Sequence, residues 1–167
     1  MNIYQQFRAN KDEFFEFDPH SPLTSEQKHS FGGLNYFPVD ENLIFELEIK
    51  EFEDQKMIQM QTSTGDLRTF TRYGQVFFNV EGEEASLTVY SNEYGFFIPF
   101  VDSQAGKVTY GAGRYLDPEL NDEGLLILDF NLAYNPYCAY NELYSCPIPP
   151  AENRLSVPIK AGEKNYK

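Results

Sequence analysis

LRTFTRYGQVFFNVEGEEASLTVYSNEYGFFIPF, residues 67–100, decides the fold. Val76, Phe78 and Val80 alternate with polar or exposed-type neighbours, and so do Leu87 and Val89. Side chains on a strand point to opposite faces in turn, so a period of two marks a half-buried strand. Glu81-Gly82 and Asn92 to Gly95 read as turns, and Tyr73-Gly74 reads as a third turn after a strand from Leu67 to Arg72. Phe96 to Phe100 is almost wholly apolar, which predicts a strand covered on both faces. Short strands at this spacing, joined by glycine turns, predict an antiparallel meander.

The pattern extends on both sides. Leu43, Phe45, Leu47 and Ile49 alternate with Ile44, Glu46, Glu48 and Lys50, and Ile58, Met60 and Thr62 follow before a turn at Thr64-Gly65-Asp66. Leu125 to Phe130 is the most hydrophobic stretch, and in the strand predicted from Leu125 to Ala133 the residues Leu126, Leu128, Phe130 and Leu132 share one face. Its other face turns polar at Asp129 and Asn131. Upstream, Ile3, Tyr4, Phe7 and Phe14 recur at helical spacing, predicting a helix over residues 1–17 whose Ile3, Phe7 and Phe14 dock on the meander. Thr24 or Ser25 is placed to cap a short second helix. The expected fold is one mainly β domain over residues 1–167. Its meander, 43–133, closes into a barrel or flattens into a sandwich. An ordered Pro-rich loop and a last strand from Arg154 to Lys160 complete it in 134–167.

Composition bounds the partners. The 167 residues carry 26 acidic and 13 basic side chains, a formal net charge of −13. No Lys or Arg occurs between Arg72 and Lys107. Such a field repels nucleic acid and anionic membrane surfaces, so neither is expected as a partner. The opening MNIYQQFRAN has no apolar signal-type core, and no apolar run approaches bilayer-spanning length. The expected location is cytoplasmic, with Cys138 and Cys146 as reduced thiols.

The C-terminal third carries a resemblance. GRYLD at Gly113 to Asp117, LDFNLAYNPYCAYNELYSCPIPPAENRL at Leu128 to Leu155 and AGEK at Ala161 to Lys164 resemble a prokaryotic family of unknown function, domain-of-unknown-function family 1684. SPL at Ser21 to Leu23, GLNYFP at Gly33 to Pro38 and FIPF at Phe97 to Phe100 extend the resemblance over nearly the whole chain. The resemblance implies no known activity.

Functional candidates gather around one segment. Tyr134 to Pro150 holds four tyrosines, two cysteines, two asparagines and four prolines. A loop of this length in a compact domain tends to be functional or disordered, and its prolines and aromatics oppose disorder. It reads either as a rigid loop presenting polar groups to a ligand, or as a plug sealing one end of a barrel with its Tyr hydroxyls as satisfied donors. Seven residues separate Cys138 from Cys146, and the two histidines, His20 and His29, lie far upstream. That spacing suits neither a zinc knuckle nor a nearby imidazole base, so no metal is expected. Gly111-x-Gly113 lacks the third glycine of a dinucleotide loop, and no cofactor is expected.

Asp129 cannot remain ionised and unpartnered inside a protein. It therefore meets a cation, donors or water, or else faces solvent. The candidate ligand-binding set is Arg114, Asp117, Asp129, Asn131, Tyr134, Asn135, Tyr137, Cys138, Tyr140 and Arg154. Three readings stay open: a binding domain for a small molecule with a polar Tyr/Asn/Asp pocket, a hydrolytic enzyme using Asp, Arg and Cys138 there, or a structural or interaction protein.

Overall fold

The computed structural model describes residues 2–166. Helix α1 (Ile3–Phe17) starts at a capping box, in which Asn2 accepts from the Gln5 amide and the Gln5 side chain accepts from the Asn2 amide. Helix α2 (Ser25–His29) has the same device between Thr24 and Gln27. Eight strands follow among the described residues: β1 (Ile44–Leu47), β2 (Lys50–Glu51), β3 (Met57–Gln61), β4 (Leu67–Val80), β5 (Glu83–Asn92), β6 (Gly95–Phe100), β7 (Arg114–Leu116) and β8 (Leu126–Asp129).

The meander is antiparallel throughout. The larger sheet runs β2-β4-β5-β6-β7, with β3 pairing the first half of β4, while β1 and β8 form a separate two-stranded ladder. Glu81 and Gly82 both have positive φ, at 51° and 83°, which is the two-residue hairpin geometry that suits twisted strands. Tyr73-Gly74 is not a turn. It is an irregularity within one 14-residue strand, where the register shifts between Arg72 and Gly74. A Cβ on Gly74 would stand 2.7 Å from the Lys50 carbonyl oxygen and from Ile49, so glycine is required by close approach of β2.

The sheets do not close into a barrel. They form a flattened sandwich. Val76, Phe78, Val80, Leu87, Val89, Ile98, Phe100 and Leu116 make one face of the main core, and Leu126, Leu128 and Phe130 from the β8 region face them. On the opposite face of the large sheet, Met60, Phe70, Tyr90, Phe97 and Tyr115 pack under the Pro-rich segment through Cys146 and Tyr134. The strand β6 is thus covered on both sides, as its apolar run predicts. The β7 edge pairs its backbone with that segment at the isolated Tyr115–Tyr134 bridge. Prolines lack the N–H a ladder needs, so the sheet ends there.

Two predicted strands are shortened or lost. β8 stops at Asp129, whose carboxylate accepts from the Asn131 amide and turns Phe130–Leu132 into a 3-10 turn. Leu132 is consequently exposed. Residues 154–160 bury Leu155, Val157 and Ile159 in alternation but bend at Ser156 and Val157, and they form the isolated Val101–Arg154 bridge and a Ser103–Val157 backbone bond instead of a strand. Asp102 Oδ2, not a strand carbonyl, accepts from the Ile159 amide.

Helix α1 docks by an unexpected face. Phe7 is 41% exposed and Ile3 is exposed, whereas Phe15 is 1% exposed. The contacts come from Tyr4, Arg8, Lys11, Asp12 and Phe15, which recur on one helical face. Tyr4 donates to Asp129, Arg8 lies 4.4 Å over the Tyr36 ring, Lys11 pairs with Glu163, and Asp12 accepts from the Leu34 amide. Polar partners on the landing surface select this face over the apolar stripe. Phe15→Ala is expected to cost ~3–5 kcal/mol and Phe7→Ala well under half of that; chemical-denaturation midpoints measure the difference.

Arg114 is 1% exposed. It donates to the carbonyls of Ile159, Ala161 and Glu163, and Asp102 Oδ2 lies 3.7 Å away. Burial lowers its pKa to about 10, against the opposing pull of Asp102 and Glu163, so it stays charged at neutral pH. Arg114→Leu leaves three carbonyls and a carboxylate without their cation. The expected loss is ~3–5 kcal/mol, read as a lowered urea midpoint with unchanged slope.

Candidate functional site

The strongest site candidate is built where β7 ends. The bridge between Tyr115 and Tyr134 is made by two backbone hydrogen bonds of 2.8 and 3.1 Å. It brings the chain after β7 beside the start of the Pro-rich segment. The Tyr134 hydroxyl then donates to Asp117 Oδ2 at 2.5 Å, across 17 residues of sequence. Gly113, just before β7, lets the chain pass close to the end of β6. Its φ is +101°, and a Cβ there would stand 2.6 Å from the Phe100 carbonyl oxygen.

Two clefts meet at this pair. The larger, of about 730 Å³, has Phe70, Phe97 and Tyr115 as its aromatic wall, Tyr94 at the rim and Arg68 at one end. The smaller, of about 450 Å³, reaches Phe7, Ile127 and Asp129. Asp117, Pro118, Glu119, Leu120 and Tyr134 line both. The aromatic wall is an ordered stack: Phe70–Phe97 centroids are 5.3 Å apart, Phe97–Tyr115 4.8 Å and Tyr115–Tyr134 5.7 Å. Edge-to-face and offset contacts of this kind fix ring positions.

Asp117 opens to solvent on the cleft side, yet protein crowds its remaining sides. Desolvation raises its carboxyl pKa above the usual value, while the Tyr134 hydrogen bond and the Lys11 charge pull it down. Burial, reinforced by Asp117, pushes the Tyr134 phenol up. Lys11 Nζ lies 4.9 Å from the Tyr134 ring centroid, and Arg68 donates to the Ser145 carbonyl.

The other predicted site residues divide. Asp129 is 9% exposed and touches the smaller cleft, but its oxygens are occupied by Tyr4 and Asn131. Asn131 is buried and pairs with the Asp40 backbone in both directions. Asn135 and Tyr140 are buried around Glu163, which accepts from the Asn135 amide and the Tyr140 hydroxyl. Tyr137 lines a third depression with Phe7 and Phe14. Cys138 opens on a different cavity, beside Tyr110. Arg114 is internal, and the exposed Arg154 lines neither cleft. The structure therefore brings Asp117, Asp129 and Tyr134 to the clefts, places Asn131 behind Asp129, and leaves the other predicted residues elsewhere.

Sequence reasoning missed Arg68, Phe70, Phe97, Tyr115 and Glu119. One signal existed for Phe97. A strand apolar on both faces must have a second layer against its outer face. Among the described residues, no group of three or more His, Cys, Asp or Glu is placed to hold a metal ion. No helix among them is long and apolar enough to cross a membrane.

Comparison with known proteins places this architecture. The chain belongs to the family described as protein of unknown function (DUF1684), whose model matches residues 29–164. Its structure is similar to the solution NMR structure of an uncharacterised protein from Haloarcula marismortui, at 34% identity and a TM-score of 0.71. The match covers 96% of this chain and 91% of that one. No curated protein matches.

The Asp117–Tyr134 bond makes a direct prediction. Tyr134→Phe removes a donor that favours the carboxylate, so the Asp117 pKa should rise further. Carbon-detected NMR titration of the Asp117 carboxyl measures it; an unmoved titration would mean that the pair does not form in solution.

Proposed function

We propose that the chain is a small-molecule-binding protein, and that its ligand is an amine or organic cation with a planar apolar body held in the larger cleft. The observation that carries this reading is the Asp117–Tyr134 pair, set at 2.5 Å between two clefts and beside a stacked aromatic wall. Clefts of several hundred Å³ with apolar walls and a few convergent polar groups are the usual form of ligand sites.

The chemistry of the lining selects the ligand class. Asp117 and Glu119 supply negative charge, and Tyr94, Phe97 and Tyr115 supply ring faces that attract cations. Arg68 is the basic residue of the cleft, and its guanidinium already serves the Ser145 carbonyl. Desolvation disfavours the Asp117 carboxylate beyond what the Tyr134 hydrogen bond and Lys11 offset, so a bound cation adds favourable charge there. The net charge of −13 draws cations towards the whole surface.

The hydrolytic alternative has less behind it. Arg114, Arg154 and Cys138 do not line either cleft, so Asp117 has no cationic or nucleophilic companion from that set.

A thermal-shift panel tests the reading. Tyramine, phenethylamine and tryptamine should raise the melting midpoint, whereas 4-hydroxyphenylacetate should not. At a hundredfold excess over Kd the gain is roughly 2.7 kcal/mol, or about 5–10 °C for a chain of this size. Asp117→Asn should abolish the amine shift without lowering the ligand-free midpoint. Affinity should also fall on acidification, beginning above the usual aspartate range, because the raised carboxyl is neutralised early. Equal shifts by the acid, no shift by any amine, or an undiminished shift in Asp117→Asn would sink the proposal.

A further inference from the structure

Away from the clefts, the Pro-rich segment folds its two cysteines onto each other. Tyr137–Ala139 forms a 3-10 turn after Pro136, and the chain returns so that the Cys138 amide donates to Cys146 Sγ at 3.2 Å. That nitrogen is three bonds from Cys138 Sγ, so the two sulfurs are brought to the same place in the fold. Neither is in a disulfide. The Cys146 end is fixed from the other side. Its amide donates to Ser63 Oγ, and its carbonyl accepts from the Ser63 amide.

The two thiols differ in access. Cys146 is buried in the aromatic cluster with Phe97 and Tyr115. Cys138 is half-buried and opens on a cavity of about 410 Å³, which Tyr110, Glu142 and Tyr166 also line. The Tyr110 hydroxyl stands 3.8 Å from Cys138 Sγ. A thiol pair needs one accessible sulfur to react first and a second within reach to resolve it. This arrangement supplies both.

We propose that Cys138 and Cys146 are a reversible thiol–disulfide redox pair, Cys138 attacking through the cavity and Cys146 resolving from behind it. The oxidant is a hydroperoxide. The Cys138 thiolate attacks one peroxide oxygen, the O–O bond breaks, and the distal oxygen leaves as hydroxide or alkoxide. Cys138 becomes a sulfenic acid. Cys146 then attacks that sulfur, the S–O bond breaks, and water leaves with the Cys146 proton. The sum is two thiols and one hydroperoxide giving one disulfide, one water and one alcohol or water. A dithiol reductant reverses it by exchange.

The protonation pattern fits these roles. The Cys146 hydrogen bond, helped by Tyr110 and Ser63, lowers the Cys138 pKa to about 6 against its desolvation. The same bond and burial push Cys146 up. Both directions suit attack by the accessible sulfur. This inference is independent of ligand binding in the clefts.

Hydrogen peroxide is the probe. Reduced wild-type protein, exposed to a small molar excess, should lose both titratable thiols and two hydrogen atoms of mass. Peptide mapping should show a bond between Cys138 and Cys146, and dithiothreitol should restore both thiols. In Cys146→Ser, dimedone should trap a sulfenic acid at Cys138, while Cys138→Ser should stay unmodified. Retention of both thiols in the wild type, bonding only between chains, or equally fast oxidation of Cys146 in Cys138→Ser would overturn the proposal. The wild-type measurements decide it even if a variant misfolds.

Discussion

The buried guanidinium of Arg114 is the interaction on which the rest of the structure depends. A charge taken out of water must be given donors or acceptors in its place. Arg114 sits at the first position of β7 and gathers three carbonyls from residues 159–163, a stretch with no strand ladder of its own. Asp102 binds the same stretch at the Ile159 amide and stands beside the guanidinium. One cation and one anion thus supplement the isolated bridges and the apolar burial that hold the C-terminal segment. A cation and anion so placed are specific in direction, which apolar contact is not.

From that clamp the order spreads outward. Glu163, fixed by its backbone to Arg114 and to the Ala133 carbonyl, offers its carboxylate to Tyr140, the Asn135 amide and Lys11. These are the Pro-rich segment and helix α1. Lys11 in turn lies under the Tyr134 ring, and Tyr134 holds Asp117, three residues after Arg114. The polar pair of the cleft is therefore supported from both sides by one continuous network. Networks of this kind rigidify what they connect when every member is satisfied. A second clamp secures the far side of the sheet, where Arg72 and Tyr90 both donate to Glu152, and Asn153 bonds the Thr88 and Pro99 backbones. Arg72 and Tyr90 hold the Glu152 carboxyl below its usual pKa, so its contribution is present at neutral pH and fades as acid protonates it.

How much of this the sequence reveals depends on the range of the interaction. The β4–β5–β6 hairpins are legible because alternation and turn chemistry are local, as at Glu81-Gly82. Barrel closure is not, since it turns on whether β1 pairs with β8 alone, across some eighty residues of chain. Gly74 reads as a turn because sequence shows a glycine but not the β2 backbone against it. The apolar stripe of α1 misleads for a related reason. Ile3 and Phe7 satisfy the helical period, but the surface they would meet offers Asp129, Tyr36 and Glu163, which select Tyr4, Arg8 and Lys11, while Phe14 packs half-buried beside Phe15. In the site, Asp117 and Tyr134 can be named as polar residues near apolar strands. Their pairing cannot, because it needs the Tyr115–Tyr134 bridge, and the aromatic wall needs residues from β4, β6 and β7 at once.

The cleft and the thiol pair share one wall, and this follows from the packing alone. Tyr115 faces the larger cleft with its ring and donates its hydroxyl to the Pro147 carbonyl. Pro147 lines the cleft, and Cys146 precedes it in the cluster that holds Tyr115 and Phe97. The backbone at 145–147 is therefore the rear support of the aromatic wall and the anchor of the buried thiol. Ser145 reinforces it, accepting from Arg68 through its carbonyl and donating to Asp66 through its hydroxyl. Close-packed interiors transmit displacement rather than absorb it. A shift of Cys146 towards Cys138 would move along the chain into Pro147 and through its carbonyl to Tyr115, one residue from the strand end that presents Asp117. The prolines at 147, 149 and 150 shorten the distance over which such a shift could be lost, since each fixes φ and removes a degree of freedom. The composition that makes this segment hard to read as a strand or helix also stiffens it behind the cleft wall and the thiol pair.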